Sequence, residues 1–350
     1  MFLASLEINM QEMKMAKGGA LLLGAVLLLA IGGNPVSYYT RMFTMGTIGN
    51  KIAYKAFENY LKDLVPLALT AVALSLAFKM KFWNLGGNGQ IFVGCLAAIA
   101  CMFYLGGKIP EPVLILLMTV SSIAAGAVWG VLPAVFKAYF DTNESLFTLM
   151  LNYIAAGLVP MFIAIWVKSG SGKLDPIAAG SFPKLFGNEY LLTILVFFVL
   201  AGLMYIYLNY TKHGYEISVV GESHNTARYV GIKTERVIIR TMLLSGALCG
   251  VAGLLLVGGT DHTVTTTIAG GRGFTAILVS WLGKFNPIYM ILTAFLVVFL
   301  QRGTSFTGEI YRLDTSMADI FIGAVLLFII GCEFFINYKI NFRKRDKEGK

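Results

Sequence analysis

Charged residues are scarce in this sequence, which has only 19 acidic and 28 basic side chains among its 350 residues. A soluble globular domain has about 25% charged residues, whereas this chain has 13%. Hydrophobic residues make up 57% of it, and the mean hydropathy is +0.73. These values exclude an ordinary soluble domain and predict a protein whose main solvent is lipid.

Cysteine and histidine are also rare, with four and three residues respectively. The cysteines fall inside apolar stretches without metal-ligand spacing, and the histidines are scattered among loops and the ends of apolar stretches. These residues are Cys95, Cys101, Cys249, Cys332, His213, His224 and His262. The sequence therefore predicts small buried thiols, and it indicates no disulfide, metal site or cofactor.

Several catalytic motifs are missing as well. No G-x-x-x-x-G-K-[ST] segment occurs, so the chain has no loop that cradles nucleotide phosphates. It also lacks H-E-x-x-H, the G-x-S-x-G elbow, and a pair of intramembrane carboxylates that could relay protons. If the protein pumps a solute, the energy has to enter through another subunit, and we expect a transport subunit rather than an enzyme.

Long apolar stretches are what the sequence has in abundance. A helix needs about 20 apolar residues to cross roughly 30 Å of hydrocarbon, and six stretches without any charged side chain meet that length. They are residues 18–39, 82–107, 112–136, 145–167, 190–211 and 241–260, with shorter candidates at 64–78, 273–283, 285–301 and 320–332. Because these stretches are continuously apolar and not alternating, they predict an all-α membrane bundle of about ten transmembrane helices rather than a barrel.

The basic residues suggest an orientation. Lys14 and Lys17 precede an apolar run at residues 20–31 that resembles a signal peptide, but no A-x-A site follows, so we expect a first, retained helix. Ten crossings that start inside leave more Lys and Arg on the side that carries the basic C-terminal tail. This predicts that both termini are cytoplasmic and that residues 40–63 and 168–189 are the longest outside segments, which could receive a soluble partner.

Two glycine-rich segments interrupt apolar runs in a similar way, at residues 86–89 and 270–273. They are predicted to lie toward opposite membrane faces, as an inverted repeat requires, and such paired interruptions indicate a substrate site in transporters. The predicted solute path consists of Asn84, Gly87, Asn88, Gly89, Gln90, Gly271, Arg272, Gly273 and Phe274. The alternative is close helix packing through small residues, although buried amides in this position would be costly without partners.

A polar segment at residues 210–240 is too long for a simple turn between helices. Residues 218–229 combine a polar start with helix formers, and Gly231 follows. The pattern predicts one short cytoplasmic helix that ends at this glycine. The alternative is an ordinary solvent-exposed helix that only connects two membrane helices, since it would have the same pattern.

Three motifs in order resemble the permease family of ribose, nucleoside and related ABC importers, in its nucleoside-type branch. They are N-L-G-G-N-G-Q at residues 84–90, G-E-S-H-N-T-A-R-Y-V-G-I at 221–232, and G-R-G-F-T-A-I at 271–277, which leads to L-G-K-F-N-P. The segment 141–153 also matches that branch. The resemblance covers about residues 64–332.

The resemblance implies partners and a second functional segment. In that family the segment corresponding to residues 221–232 docks on the ATP-binding cassette subunit, which carries the ATPase. Its candidate residues here are Gly221, Glu222, Asn225, Ala227, Arg228 and Gly231. The family also implies a second permease subunit, often a non-identical paralogue, and an extracytoplasmic substrate-binding protein, in many bacteria a lipoprotein.

The resemblance further implies a location and an activity, and the chain departs from the family pattern at one position. We expect a single permease domain over residues 1–350, in the bacterial cytoplasmic membrane, that imports a nucleoside or a similar small polar solute. Import of a flavin-type vitamin or of a simple sugar such as ribose is an alternative function. A stand-alone channel or proton-coupled carrier is an alternative of another class. The branch commonly has an acidic residue where this chain has Asn88, and that difference leaves the solute undetermined.

Overall fold

A computed structural model describes residues 34–44, 53–168 and 173–311, together with the single positions 25, 26, 29, 320, 323 and 327. The regular secondary structure of those residues is helical, and an isolated antiparallel bridge joins Leu185 to Asn188. The helices are α1 Pro35–Thr44, α2 Ala53–Lys79, α3 Gly87–Leu105, α4 Glu111–Phe140, α5 Glu144–Trp166, α6 Leu191–Tyr210, α7 Lys212–Glu222, α8 His224–Tyr229, α9 Thr234–Leu256, α10 Arg272–Leu282 and α11 Pro287–Tyr311. A short π-helix, Val257–Asp261, extends α9.

The described residues fall into two compact units. The larger unit is Glu58–Leu296, and the described residues before and after it belong to the other unit. In the smaller unit, the side chain of Asn34 accepts a hydrogen bond of 3.0 Å from the Val36 N–H at the start of α1. The prediction of one permease domain over the whole chain stays a prediction.

Six helices in the described part of the chain are long and apolar enough to cross a membrane. They correspond to six of the predicted crossings. They are Phe57–Lys79, Gly87–Leu105, Glu111–Phe140, Glu144–Trp166, Leu191–Tyr210 and Thr234–Asp261. The all-helical class is confirmed for these residues.

The predicted number of about ten crossings is not confirmed. The predicted spans at 18–39 and 320–332 lie largely outside the described residues. The span predicted at 273–283 corresponds to α10, which has 11 residues and is therefore about 16 Å long, shorter than the hydrocarbon core. A helix of that length is too short to cross the hydrocarbon core by itself.

The larger unit is built around α2 and α9, each of which is 83% buried over its most apolar stretch. Glycines bring the backbones of neighbouring helices together there. A methyl group added at Gly94 of α3 would lie 2.7 Å from the Cα of Gly250 in α9, and one at Gly126 of α4 would lie 2.8 Å from that same atom. Small residues thus hold α3, α4 and α9 closer than larger side chains would permit.

The start of α3 lies within the first glycine-rich segment. Residues 82–86 are not helical, and the helix begins at Gly87, five residues after the start of the charge-free stretch 82–107. The side chain of Asn84 accepts the Gly86 N–H at 2.9 Å, which turns the chain back toward α2. A methyl group at Gly87 would lie 3.0 Å from the Leu74 side chain, so α3 starts inside the bundle, beside the body of α2.

The polar segment after α6 differs from the prediction. A single helix over residues 218–229 is wrong, because α7 ends at Glu222 and the extended Ser223 separates it from α8. The Ser223 hydroxyl accepts the Thr226 N–H at 3.2 Å and caps α8. Gly231 follows α8 with φ +82°, and the bonds Ile232 N–H to Ala227 O and Gly231 N–H to Arg228 O close the helix.

Candidate functional site

The two glycine-broken segments meet inside the larger unit. The Gly273 N–H at the start of α10 donates a hydrogen bond of 2.7 Å to Oδ1 of Asn88 at the start of α3. A methyl group added at Gly87 would lie 3.2 Å from the Cα of Gly273. We call this meeting point of two helix N-termini the junction. Both N-termini contribute partial positive charge, so the junction favours electron-rich atoms.

Side chains of α5 hold the start of α3 in place. The Asn152 amide donates to the Leu85 carbonyl at 2.6 Å, and its Oδ1 accepts the Gly89 N–H at 2.7 Å. The Thr148 hydroxyl accepts the Leu85 N–H at 3.1 Å. These bonds satisfy backbone groups that the break between α2 and α3 leaves without helical partners, as buried backbone requires.

Three buried polar groups beside the start of α3 retain hydrogen-bonding capacity. Asn84 and Gln90 are 0% and 1% exposed, and Nδ2 of Asn84 and Oε1 of Gln90 form no hydrogen bond within the described part of the chain. The same holds for Nε1 of Trp129, which would lie 3.1 Å from a methyl group at Gly89. A donor or acceptor in such surroundings is costly unless a polar partner reaches it.

The side chain of Arg272 extends from the junction into a polar region. Its Nη2 lies 3.0 Å from Oδ1 of Asp63 in α2, and its Nη1 donates to the Ile268 carbonyl at 2.8 Å. Gly271 precedes it with φ +70°. Phe274 is 45% exposed, so its ring lies at the surface of the unit and not between the two helix starts.

The segment 221–232 packs against the end of α2. A methyl group at Gly221 would overlap the Lys79 carbonyl oxygen, so α7 touches the last turn of α2 at this point. Ala227 is buried, while Glu222 and Asn225 are exposed. Arg228 pairs with Glu235 of α9 at 3.2 Å, so Glu222 and Arg228 lie in different surroundings.

A second loop lies at the same end of the unit. Lys137 pairs with Asp141 at 2.9 Å and with Glu144 at 3.1 Å, across the turn between α4 and α5. The hydrogen bond from Lys137 holds the pKa of the Asp141 carboxyl below its usual value, and the nearby His224 of α8 adds a smaller effect. The start of α5 and α7 both lie beside the segment that follows α2, since Thr148 bonds Leu85 and Gly221 touches Lys79.

The structure thus brings most predicted solute-path residues together. The junction joins the first segment, Asn84 to Gln90, to the second, Gly271 to Gly273, while Phe274 points away. Sequence reasoning missed Asn152, Thr148 and Asp63 as their partners. The signal for Asn152 was its position as a lone amide in a charge-free stretch. No cluster of three or more His, Cys, Asp or Glu suited to a metal occurs among the described residues.

Comparison with known proteins gives consistent results. Residues 56–330 match the family described as branched-chain amino acid transport system, permease component. The chain is 28% identical over 338 residues to the glucose ABC transporter permease protein of Haloferax volcanii, covering 92% of this chain and 87% of that one. No solved structure matches the chain.

Two further relatives transport different solutes according to their names. The guanosine ABC transporter permease protein of Bacillus subtilis is 28% identical over 314 residues, covering 87% of this chain and 88% of that protein. The nucleoside ABC transporter permease protein of Lactococcus lactis is 28% identical over 337 residues, covering 90% of this chain and 88% of that protein.

Proposed function

Because this chain belongs to the family of branched-chain amino acid transport system permease components, we propose that it is the transmembrane permease subunit of an ABC importer for a nucleoside or similar small polar solute. The resemblance to ABC importer permeases carried by the three motifs is confirmed. ATP hydrolysis occurs in a separate subunit, and the chain itself carries the solute path.

The observation that carries this proposal is the junction. Two helices start inside the bundle at Gly87 and Arg272, with one capped by a side chain of the other through Asn88. Broken helices of this kind survive in a membrane only where they are buried in protein or face a water-filled cavity. Their N-termini and the unused N–H groups of Asn84 Nδ2 suit acceptor atoms of a neutral solute, and the unused Oε1 of Gln90 suits a donor such as a hydroxyl or amino group.

We infer the class of solute from the named relatives and not from the geometry of the junction. Relatives named for guanosine and for nucleosides favour a nucleoside, and one named for glucose keeps a sugar as the second candidate. Asn88 uses its Oδ1 to accept the Gly273 N–H. A carboxylate could accept the same bond, so the neutral residue here preserves the cap while removing a negative charge from the junction.

A mechanical route connects the segment 221–232 to the junction. Gly221 of α7 touches the last turn of α2 at Lys79, and residues 80–86 lead directly from that turn to the start of α3. Movement of α7 and α8 by an ATPase subunit would therefore move the start of α3 against α10. In the proposed orientation this end of the unit is cytoplasmic, and a second permease subunit and a binding protein complete the importer.

Reconstituted complexes test this proposal. We expect proteoliposomes that contain the chain, its partner subunits and a loaded binding protein to accumulate nucleoside only with ATP and an active ATPase. Accumulation that survives removal of the ATPase would instead support a stand-alone channel or proton-coupled carrier. Gly231→Val, which places a β-branched residue at φ +82°, should lower solute-stimulated ATP hydrolysis and uptake together.

The matched control is Gly202→Val, since Gly202 lies in α6 with open space around it and no positive φ. This variant should keep wild-type coupling. Equal turnover in Gly231→Val, Glu222→Ala, Arg228→Ala and the control would remove the segment from the coupling mechanism. Labelling of a cysteine at Ser223 by an impermeant reagent in intact cells would show that the proposed orientation is reversed.

A further inference from the structure

A polar cavity of about 390 Å³ lies beside the junction, in a part of the larger unit that the sequence patterns did not single out. Its lining residues are Asp261, Thr263, Thr265, Thr267, Ile268 and Arg272. This volume falls within the roughly 300–1,000 Å³ that small-molecule sites occupy. Arg272 belongs to both places, so the cavity and the junction are continuous.

The cavity wall is a braced structure. The π-helix Val257–Asp261 ends α9 there, and π-helical turns are frequent at functional sites. Three hydrogen bonds join the wall to residues 174–182, which we call the bracing segment. The Phe182 N–H donates to Gly258 O at 3.0 Å, the Ile177 N–H donates to His262 O at 2.8 Å, and the Thr263 hydroxyl donates to Leu174 O at 2.6 Å. The wall is thereby fixed before any ligand arrives.

The charges of the cavity disfavour an anion. Both terminal nitrogens of Arg272 are engaged, one by the Asp63 carboxylate and the other by the Ile268 carbonyl. The guanidinium is thus not free to clamp a phosphate or carboxylate in the usual two-pronged way. Asp261 adds a negative charge, which would repel an anionic ligand further.

The Asp261 carboxylate is the free acceptor of the cavity. It is exposed at the end of a membrane-crossing helix, and within the described residues no cation lies in ion-pair contact with it. A carboxylate at such a position is expensive unless it faces water or a ligand. Across from it, the hydroxyls of Thr265 and Thr267 lie 3.3 Å from each other and keep further bonding capacity.

We propose that this cavity is a subsite for the sugar ring of the solute, in which Asp261 accepts hydrogen bonds from two neighbouring ring hydroxyls and Thr265 and Thr267 bond the same ring. The two oxygens of a carboxylate suit a vicinal diol, and a neutral polyol avoids the repulsion that excludes anions. The inference rests on the proposed function, since it assigns the place where the imported solute is first held next to the junction.

Protection from thiol labelling tests the subsite without transport. The full-length chain in lipid nanodiscs would carry Thr266→Cys, at an exposed position between the two threonines, with the native cysteines replaced. Millimolar adenosine should slow labelling, 2′,3′-dideoxyadenosine should not, and D-ribose shows whether the ring alone suffices. Asp261→Asn should weaken the adenosine effect by roughly tenfold or more, the usual result of losing bonds to a charged group.

Asp175→Asn is the matched control, because Asp175 is an exposed acid on the bracing segment outside the cavity lining. It should leave protection unchanged. Saturation-transfer NMR on the chain with its native cysteines gives a second readout of adenosine against the dideoxy analogue. Equal signals from both nucleosides, or protection that Asp261→Asn does not alter, would overturn the subsite. Uptake by the reconstituted complex would meanwhile persist if only the subsite is wrong, and would be absent if the proposed function itself fails.

Discussion

The start of α3 and the start of α10 have similar glycine-rich sequences but lie in different surroundings. Around the first, Asn84 and Gln90 are almost completely buried, and two α5 side chains fix the backbone. Around the second, Gly270 and Gly271 are exposed with φ +52° and +70°. A polar cavity rather than a packed helix lies beside it.

This difference assigns different tasks to two segments that are alike in sequence. The start of α3 is a fixed support, since its backbone bonds are made by side chains of another helix. The start of α10 is the accessible side, where backbone and Arg272 border open space. Substitutions at the first should lower stability, while substitutions at the exposed glycines that precede α10, Gly270 and Gly271, should alter solute handling with a smaller loss of stability.

The largest expected effect comes from Gly273, where the two segments touch. A methyl group there would lie 2.8 Å from Oδ1 of Asn88 and closer still to its backbone nitrogen, and backbone cannot move aside cheaply. We expect Gly273→Val to lose more than about 4 kcal/mol of stability and most complex assembly. Apparent Tm in detergent and co-purification of the ATPase measure this.

The matched control is Gly157→Val in α5, where an added side chain meets nothing within 4 Å. A Gly273→Val complex that assembles and melts like this control would show that the two helix starts do not touch in the protein.

The second largest effect is expected at Asn152, because its side chain holds the backbone at the start of α3. Asn152→Leu leaves the Leu85 carbonyl and the Gly89 N–H without partners, and we expect a loss of about 2–4 kcal/mol from two unsatisfied buried groups. Thermal denaturation of the purified complex measures it, with Asn209→Leu as the control. Asn209 bonds only the Tyr205 carbonyl of its own helix, at an exposed site, so equal losses in both variants would contradict the support role.

Substitutions of Asn88 test the hydrogen bond between the starts of α3 and α10. Asn88→Leu removes the acceptor for the Gly273 N–H, and we expect a loss of about 1–2 kcal/mol together with reduced uptake. Asn88→Asp keeps an acceptor and should retain assembly. The comparison of the two uptake rates separates packing from hydrogen bonding, and identical kinetics in wild type and Asn88→Leu would leave the segment as packing only.

The smallest effect is expected at Gly271, on the open side. An added methyl group meets nothing within 4 Å, so only the positive φ opposes Gly271→Ala, at about 1 kcal/mol. Stability should change little, while uptake should fall if the loop before α10 has to move. A stability loss as large as that of Asn152→Leu would mean that both helix starts are equally fixed.

Much of the fold could be predicted from the sequence because membrane crossing depends on local composition. The apolar stretches at 112–136, 145–167 and 190–211 predicted α4, α5 and α6 to within a few residues. The point within the stretch 82–107 at which α3 begins could not be predicted, because Asn84 turns the chain back through a side-chain bond that hydropathy cannot register. The break at Ser223 was missed for the same reason.

The candidate site was only partly predictable. Glycines that interrupt apolar runs have a local signature, so the two halves of the junction could be found from the sequence. Their contact partners could not, because Asp63 lies 209 residues from Arg272 and Asn152 lies 63 residues from Gly89. The cavity wall depends on the pairing of Leu174 with Thr263, which no periodicity indicates.

The hydrogen bonds by which Asn152 holds the start of α3 have a consequence for biosynthesis. Gly89 leaves the ribosome 63 residues before the side chain that its N–H needs, and at about 5–20 residues per second this separation amounts to roughly 3–13 s. During that interval the start of α3 has no native acceptor, so the translocon or water must solvate it. Helix α3 therefore matures only after α5 enters the bilayer, and a ribosome pause between residues 90 and 152 would prolong the vulnerable stage.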